Sequence, residues 1–143
     1  MAIILVSACL LGVPCRYKGD SKPNERVLAL CSRHTLVPIC PEQLGGLPTP
    51  RESAEQLSGR VITKGGVDVT KEFSLGASNA ALIKERTGAE IAILKARSPS
   101  CGSGEVYDGT FSGTLIPGDG ITAALFKQMH MTVYTEENIP EDL

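Results

Sequence analysis

The sequence predicts an α/β fold: a mostly parallel sheet flanked by helices, with a small hairpin insertion. Three observations carry that expectation. Short runs rich in Ile, Val and Leu recur along the chain as "AIILVSA", "TLVPIC", "AEIAILKA" and "MTVYT", each of strand length. Segments of helical periodicity lie between them, so strand and helix alternate, which is the pattern of parallel strands joined by crossover helices. The 143 residues fit one domain, residues 1–143, long enough to bury a core, and no linker, repeat or low-complexity tract divides it.

The first run, "AIILVSA", is unbroken by charge and ends at a Cys, as a strand buried on both faces would. It is too short to cross a bilayer. No basic segment precedes it, so it does not read as a signal peptide, although "VSAC" superficially resembles a lipoprotein cleavage site. The expectation is a cytoplasmic protein with no membrane partner. "SKPNERVLALCSR" follows as a helix: Pro23 is tolerated in a first turn, and Val27, Leu28 and Cys31 fall on one face. The second strand runs from Leu36 to Cys40. "PEQLGGLPTPRESAEQLSG" is a Pro- and Gly-rich connection whose length points to function. "RVITKGGVDVT" reads as a hairpin turning at Lys64–Gly66.

Next, "TKEFSLGASNAALIKERTG" places Phe73, Gly76, Ala77, Ala80 and Ile83 on one helical face, with Gly88 as the C-terminal cap. "AEIAILKA" is a further buried strand and leads to Cys101. "EVYDGTFSGTL" carries an Asp-Gly hairpin signal at Asp108–Gly109. "DGITAALFKQMH" is a last helix presenting Ile121, Leu125 and Met129, and "MTVYT" a last strand.

Composition narrows the function classes. Formal net charge is -2, aromatics make up 4% of the chain, and Lys and Arg are scattered. A basic patch interleaved with aromatics is absent, so duplex nucleic acid is not an expected partner. The five cysteines, Cys9, Cys15, Cys31, Cys40 and Cys101, are an odd number in an expected cytoplasmic chain, which argues against a disulfide framework. Taken singly, each has packing as its default role, because a free thiol behaves as a small hydrophobe. Cys31, in register with Val27, is assigned to the core.

In open α/β sheets ligands bind beyond the carboxyl ends of the strands. Cys9, Cys40 and Cys101 each lie at or just past such an end, so they can converge on one spot. Together they suit a soft metal centre, iron–sulfur or zinc. No C-x-x-C occurs to choose between these. Cys15, in the turn "GVPCRYKG", stays open between metal ligand, redox partner and packing.

Other groups lie near these cysteines in sequence. Glu42, in "CPE", is either a first-turn or solvated carboxylate or a general base beside a metal. Ser98 and Ser100 in "RSPSCG" are local hydrogen-bonders by default; here their hydroxyls would also surround the mouth of the site. Arg51, in "PTPRE", is expected to pair with a carboxylate in preference to binding an anion. His34 and His130 lack metal-ligand spacing and are expected at the surface or in terminal turns.

"VSACLLGVPCRY", "CPEQLGGLPTPR", "DVTKEFSLGA" and "ILKARSPSCGSGEVYDGTFSGTL" together resemble the small bacterial domain family typified by thiouracil desulfidase. The likeness runs from Val6 to about Tyr134, and "SPSCG" with "CPE" is specific. It implies a Rossmann-like α/β domain holding a 4Fe-4S cluster through three cysteines, which fall on Cys9, Cys40 and Cys101. The fourth iron is then free of protein ligands and takes sulfur from a small thiolated pyrimidine. It also implies that Glu42 and Ser98 are the catalytic pair: Glu42 deprotonates a water, and Ser98 orients that water or donates a hydrogen bond. The "RYKG" segment departs from the family pattern, where an acidic residue often replaces Lys18. The implied reaction is a non-redox desulfuration of 4-thiouracil or 2-thiouracil to uracil and hydrogen sulfide. Two alternatives remain: a thiol-redox or electron-transfer protein whose four-cysteine cluster includes Cys15, and a non-catalytic module binding zinc or small ligands.

Overall fold

The computed structural model describes residues 1–143. In chain order the elements are β1 (Ile3–Ser7), α1 (Glu25–Ala29), β2 (Thr35–Ile39), α2 (Pro41–Leu44), β3 (Ala54–Leu57), β4 (Arg60–Thr63), α3 (Thr70–Thr87), β5 (Ile91–Leu94), β6 (Glu105–Tyr107), β7 (Leu115–Pro117), α4 (Ile121–Gln128) and β8 (Thr132–Thr135). Tight 3-10 turns occupy Ala8–Leu11 and Leu30–Ser32. The central sheet has the order β2-β1-β5-β8, and all its neighbouring strands are parallel. The α/β reading therefore holds.

The strands read as unbroken apolar runs because both faces are covered. Ile4, Leu5 and Val6 of β1 are all fully buried. Leu5 packs with Leu94, Ala80 and Phe126, on the side of α3 and α4. Ile4 and Val6 pack with Ile93, Val27 and Leu30, on the side of α1. On α3, Phe73, Gly76, Ala77 and Ala80 are buried as the periodicity predicts, and Gly88 takes the left-handed conformation that ends the helix.

Gly76 has a further role. A Cβ there would run into the carbonyl oxygen of Pro41, and one on Gly45 would run into that of Glu72. Two facing glycines thus let α2 and α3 touch backbone to backbone. No helix of the chain is long and apolar enough to cross a membrane.

Several local expectations are corrected. The helix α1 starts at Glu25, and the Asn24 side chain caps it by accepting from the Val27 N–H at 3.1 Å. Pro23 stands before the cap, outside the first turn. Cys31 is exposed and does not belong to the core. The helix tightens into the 3-10 turn at Leu30, so Leu30 takes the inward position, and Leu28 is also exposed. On α4 the buried face is Thr122, Ala123 and Phe126, offset from the predicted Ile121, Leu125 and Met129. Met129 is already the helix cap, and the bulky Phe126 sets the inward side.

Two small hairpins stand outside the sheet. The chain does reverse at Lys64–Gly66, but past that turn it forms only a single bridge, Ile62 to Asp68. The longer pairing of β4 is with β3, across Ser58 and Gly59, both at positive φ. The second hairpin, β6–β7, closes through the loop Asp108–Thr114, with the Asp108 N–H donating to the Thr114 carbonyl at 3.0 Å. The expected tight Asp-Gly turn is therefore a wider loop.

Candidate functional site

A cavity of about 410 Å³ opens beyond the carboxyl ends of β1, β2 and β5, as open parallel sheets dictate. Cys9, Cys40, Cys101, Glu42 and Ser98 all line it, and so do Cys15 and Arg51. The strand ends deliver the cysteines by different local means. β1 stops at Ser7 and the following 3-10 turn carries Cys9. Cys40 occupies the cap position before α2, whose first helical residue is Pro41, a residue suited to a position with no hydrogen-bonding amide.

Cys101 rides on a turn wound around Ser98. The Ser98 Oγ accepts from the amides of Ser100 (3.1 Å) and Cys101 (3.0 Å), and the Ser98 carbonyl accepts from Gly102 N–H (2.8 Å). A Cβ on Gly102 would lie 2.7 Å from that carbonyl oxygen, so only glycine fits. From β3, the Gln56 Nε2 donates to the carbonyls of Pro99 (3.0 Å) and Asp119 (2.9 Å) and braces the turn. With both Oγ lone pairs taken by amides, the Ser98 hydroxyl can still donate its proton but accepts poorly. Ser100 does not surround the mouth. It is buried, and its hydroxyl pairs with Thr122 Oγ1 at 3.1 Å.

The thiols form one wall. Cys15 is buried beside the side chains of Cys9 and Cys40, and the Cys40 Sγ lies 3.8 Å from the Cys15 carbonyl oxygen. The contact with Cys40 favours ionisation of Cys15, but contact with Cys9 and burial outweigh it and push its pKa up. Cys40 is driven up strongly by its contact with Cys15 and by burial. Burial pushes Cys101 up to about 12, against a favourable contact from Ser7 and with the charges of Glu42 and Cys40 adding to the rise. Cys15, Cys40 and Cys101 therefore favour the thiol over the thiolate. A bound cationic metal centre reverses that preference, because coordination deprotonates the sulfur. Nowhere do three His, Cys, Asp or Glu side chains close round a single ion; the four thiols border the cavity instead. The donor set is soft sulfur throughout, which fits iron–sulfur ligation.

Glu42 lies in the first turn of α2 and lines the cavity, so the first-turn and cavity readings both apply. Its partner is Arg51, whose Nε donates to Glu42 Oε1 at 2.9 Å; the expected pairing of Arg51 with a carboxylate is met. His34 and His130 lie away from the cavity. The His34 ring bridges Ala2 N–H (3.0 Å) and the Leu143 carbonyl oxygen (2.6 Å), and His130 is exposed after α4.

Other lining residues escaped the sequence reading. Ser7 is buried at the end of β1, accepts from Lys95 N–H at 2.9 Å and touches the Cys101 thiol. Lys95 pairs with Glu136 at 2.8 Å. Tyr17, Tyr107 and Phe111 line the cavity, three of the six aromatic residues in the chain. An aromatic-poor sequence that spends half its rings outside the core was the available signal. Phe111 is brought to the wall by Glu55, whose Oε1 accepts from the Gly109 (3.0 Å) and Phe111 (3.1 Å) amides.

Comparison with known proteins finds relatives in both sequence and overall fold. The family model of 2-thiouracil desulfurase matches residues 4–138. The uncharacterized protein YbbK of Bacillus subtilis (strain 168) is 42% identical over 151 residues, spanning 99% of this chain and 100% of YbbK. The solved structure of a [4Fe-4S]-dependent thiouracil desulfidase, TudS, superposes with a TM-score of 0.93 at 44% identity, covering 99% of this chain and 95% of TudS.

Proposed function

Because the chain belongs to the 2-thiouracil desulfurase family, we propose that it converts a small thiolated pyrimidine, 4-thiouracil or 2-thiouracil, to uracil and hydrogen sulfide without net electron transfer. The observation that carries this reading is the convergence of three strand-end thiols, one carboxylate and one polarised serine on a single cavity. Residues 1–143 act as one domain, and the free thiols suit a reducing compartment, the cytoplasm.

Cys9, Cys40 and Cys101 would hold a 4Fe-4S cluster, supported by the sulfur donor set and by the likeness to TudS. When bound, a cluster with one iron free of protein ligands supplies a Lewis-acidic, sulfur-seeking centre. The rest falls to the chain. Glu42 takes a proton from a water through Oε2, the oxygen that Arg51 leaves free, a role worth about 10²–10⁴-fold in rate. The water oxygen bonds to the ring carbon, the carbon–sulfur bond breaks, and the sulfur leaves with a proton as hydrosulfide. Ser98 donates its one remaining hydrogen bond toward the charge that develops. Tyr17, Tyr107 and Phe111 flank the planar ring and keep bulk water away.

The test is anaerobic reconstitution with iron and sulfide, followed by sulfide release from thiouracil with no reductant present. Equal amounts of uracil and sulfide are expected, together with turnover lowered by about 10²–10⁴-fold, to a measurable residual rate, in Glu42→Gln. A requirement for reductant would refute hydrolysis. The contact of Cys15 with Cys9 and Cys40 favours a second reading, an electron-transfer protein with four protein ligands. Added sulfide changes the spectrum of a cluster with an open iron and leaves a four-cysteine cluster unchanged.

A further inference from the structure

The geometry points to Arg51 as the positioning residue that aims Glu42. This inference rests on the role of Glu42 proposed above. The Arg51 side chain is only 7% exposed although it stands in a loop. Its Nε donates to Glu42 Oε1 (2.9 Å), its Nη1 to the Pro48 carbonyl (3.1 Å) and Thr49 Oγ1 (3.0 Å), and its Nη2 to the Cys15 carbonyl (2.9 Å). Its own amide donates to the Tyr17 carbonyl at 2.8 Å. Four of the five guanidinium hydrogens are thereby committed to protein acceptors, so Arg51 is occupied as a tether and is not a free anchor for substrate.

The tether joins three segments that share no strand: the loop after β1 at Cys15–Tyr17, the turn at Pro48–Thr49, and α2. The planar fork fixes direction as well as distance, because Nε and Nη2 are held in one rigid plane while they donate to Glu42 and to the Cys15 carbonyl. Glu42 Oε1 is thereby held, and Oε2 is left for the water. Without the fork, a four-residue helix carries a carboxylate free to change rotamer. A lysine supplies the charge but bonds from a single nitrogen and cannot hold both Glu42 and the Cys15 carbonyl in that geometry.

The experiment compares Arg51→Lys, Glu42→Gln and the double variant in the reconstituted enzyme, measuring kcat, KM, iron content and uracil affinity by calorimetry. Arg51→Lys is expected to lower kcat by about 10²-fold, the cost of a misplacement of about 1 Å. KM, uracil affinity and iron content should stay within about threefold, since uniform binding is untouched. Added to Glu42→Gln, Arg51→Lys should cost nothing further, because two residues that act as one unit are not additive. An equal loss in the Glu42→Gln background would overturn the inference, as would lost iron, lost uracil affinity or an unchanged kcat in Arg51→Lys. Full turnover in Glu42→Gln alone would instead overturn the reading of Glu42, so the two failures are distinct.

Discussion

Replacing Gly76 by alanine sets two effects against each other. Gly76 is in the interior of α3, where alanine is favoured over glycine by about 0.8–1.0 kcal/mol on helix propensity. Packing opposes this. The added Cβ would lie 2.8 Å from the Pro41 carbonyl carbon and inside the contact distance of its oxygen, and both are backbone atoms that cannot rotate away. Ordinary carbon–carbon contact is about 3.5–4.0 Å, so α2 must retreat by about 1 Å. Overpacking of this kind costs about 1–3 kcal/mol, occasionally more. We expect a net loss of up to about 2 kcal/mol, or up to about 8 °C in Tm for a chain of this length. Because α2 carries Glu42 and is capped by Cys40, the same displacement should lower single-turnover sulfide release by about 10²-fold. Thermal unfolding by circular dichroism and anaerobic single-turnover assays measure both. Ser78→Ala, on the exposed side of α3, is the control for propensity alone. A Tm that rises in Gly76→Ala would refute the packing argument, and a lowered Tm with a normal rate would separate α2 from the chemistry.

Cys9→Ser, Cys40→Ser and Cys101→Ser should each abolish stable cluster assembly while the exposed Cys31→Ser leaves it intact; iron and sulfide content after reconstitution decides. Full occupancy in Cys40→Ser with loss in Cys15→Ser would move the ligand to Cys15. Ser98→Ala leaves the amides of Ser100 and Cys101 without their acceptor, so it should cost about 1–3 kcal/mol in stability as well as slowing sulfide release. Calorimetry with an unchanged Tm would show that the hydroxyl does not hold the turn. Glu55→Ala frees the Gly109 and Phe111 amides, and hydrogen exchange should accelerate across residues 108–114; unchanged protection there would show that the loop is held by other contacts.

The parts of the fold that were legible are those in which burial follows local pattern. Ile4, Leu5 and Val6 form an unbroken apolar run because neither face of β1 meets water, and a two-sided strand needs no alternation to announce itself. The α3 face was legible because four inward residues recur at helical spacing. Illegible parts depend on something non-local or on a change of helical pitch. Leu30 displaced Cys31 through a 3-10 turn, which shifts every later side chain. The strand β3, "AEQL", is only partly buried, and it is fixed by the hydrogen bonds of Gln56 to Pro99 and Asp119, contacts with no apolar signature.

The same division runs through the site. Cys9, Cys40 and Cys101 could be placed by topology, since the carboxyl ends of parallel strands share one edge. Cys15 could not, because the turn that holds it is fastened by Arg51. Phe111 could not either, since it reaches the cavity through Glu55. Those fasteners share an origin. Glu42, Arg51, Glu55 and Gln56 all lie in the long segment between β2 and β4, which the sequence presents as a Pro- and Gly-rich connection. Three of them bond different parts of the site: Arg51 the Cys15 loop and Glu42, Glu55 the Phe111 loop, and Gln56 the Cys101 turn. The length of that segment thus has a physical cause. Strand ends can bring thiols to a common edge, but three separate loops need three separate ties to hold their shape around a cavity, and one connection crossing the mouth supplies all of them.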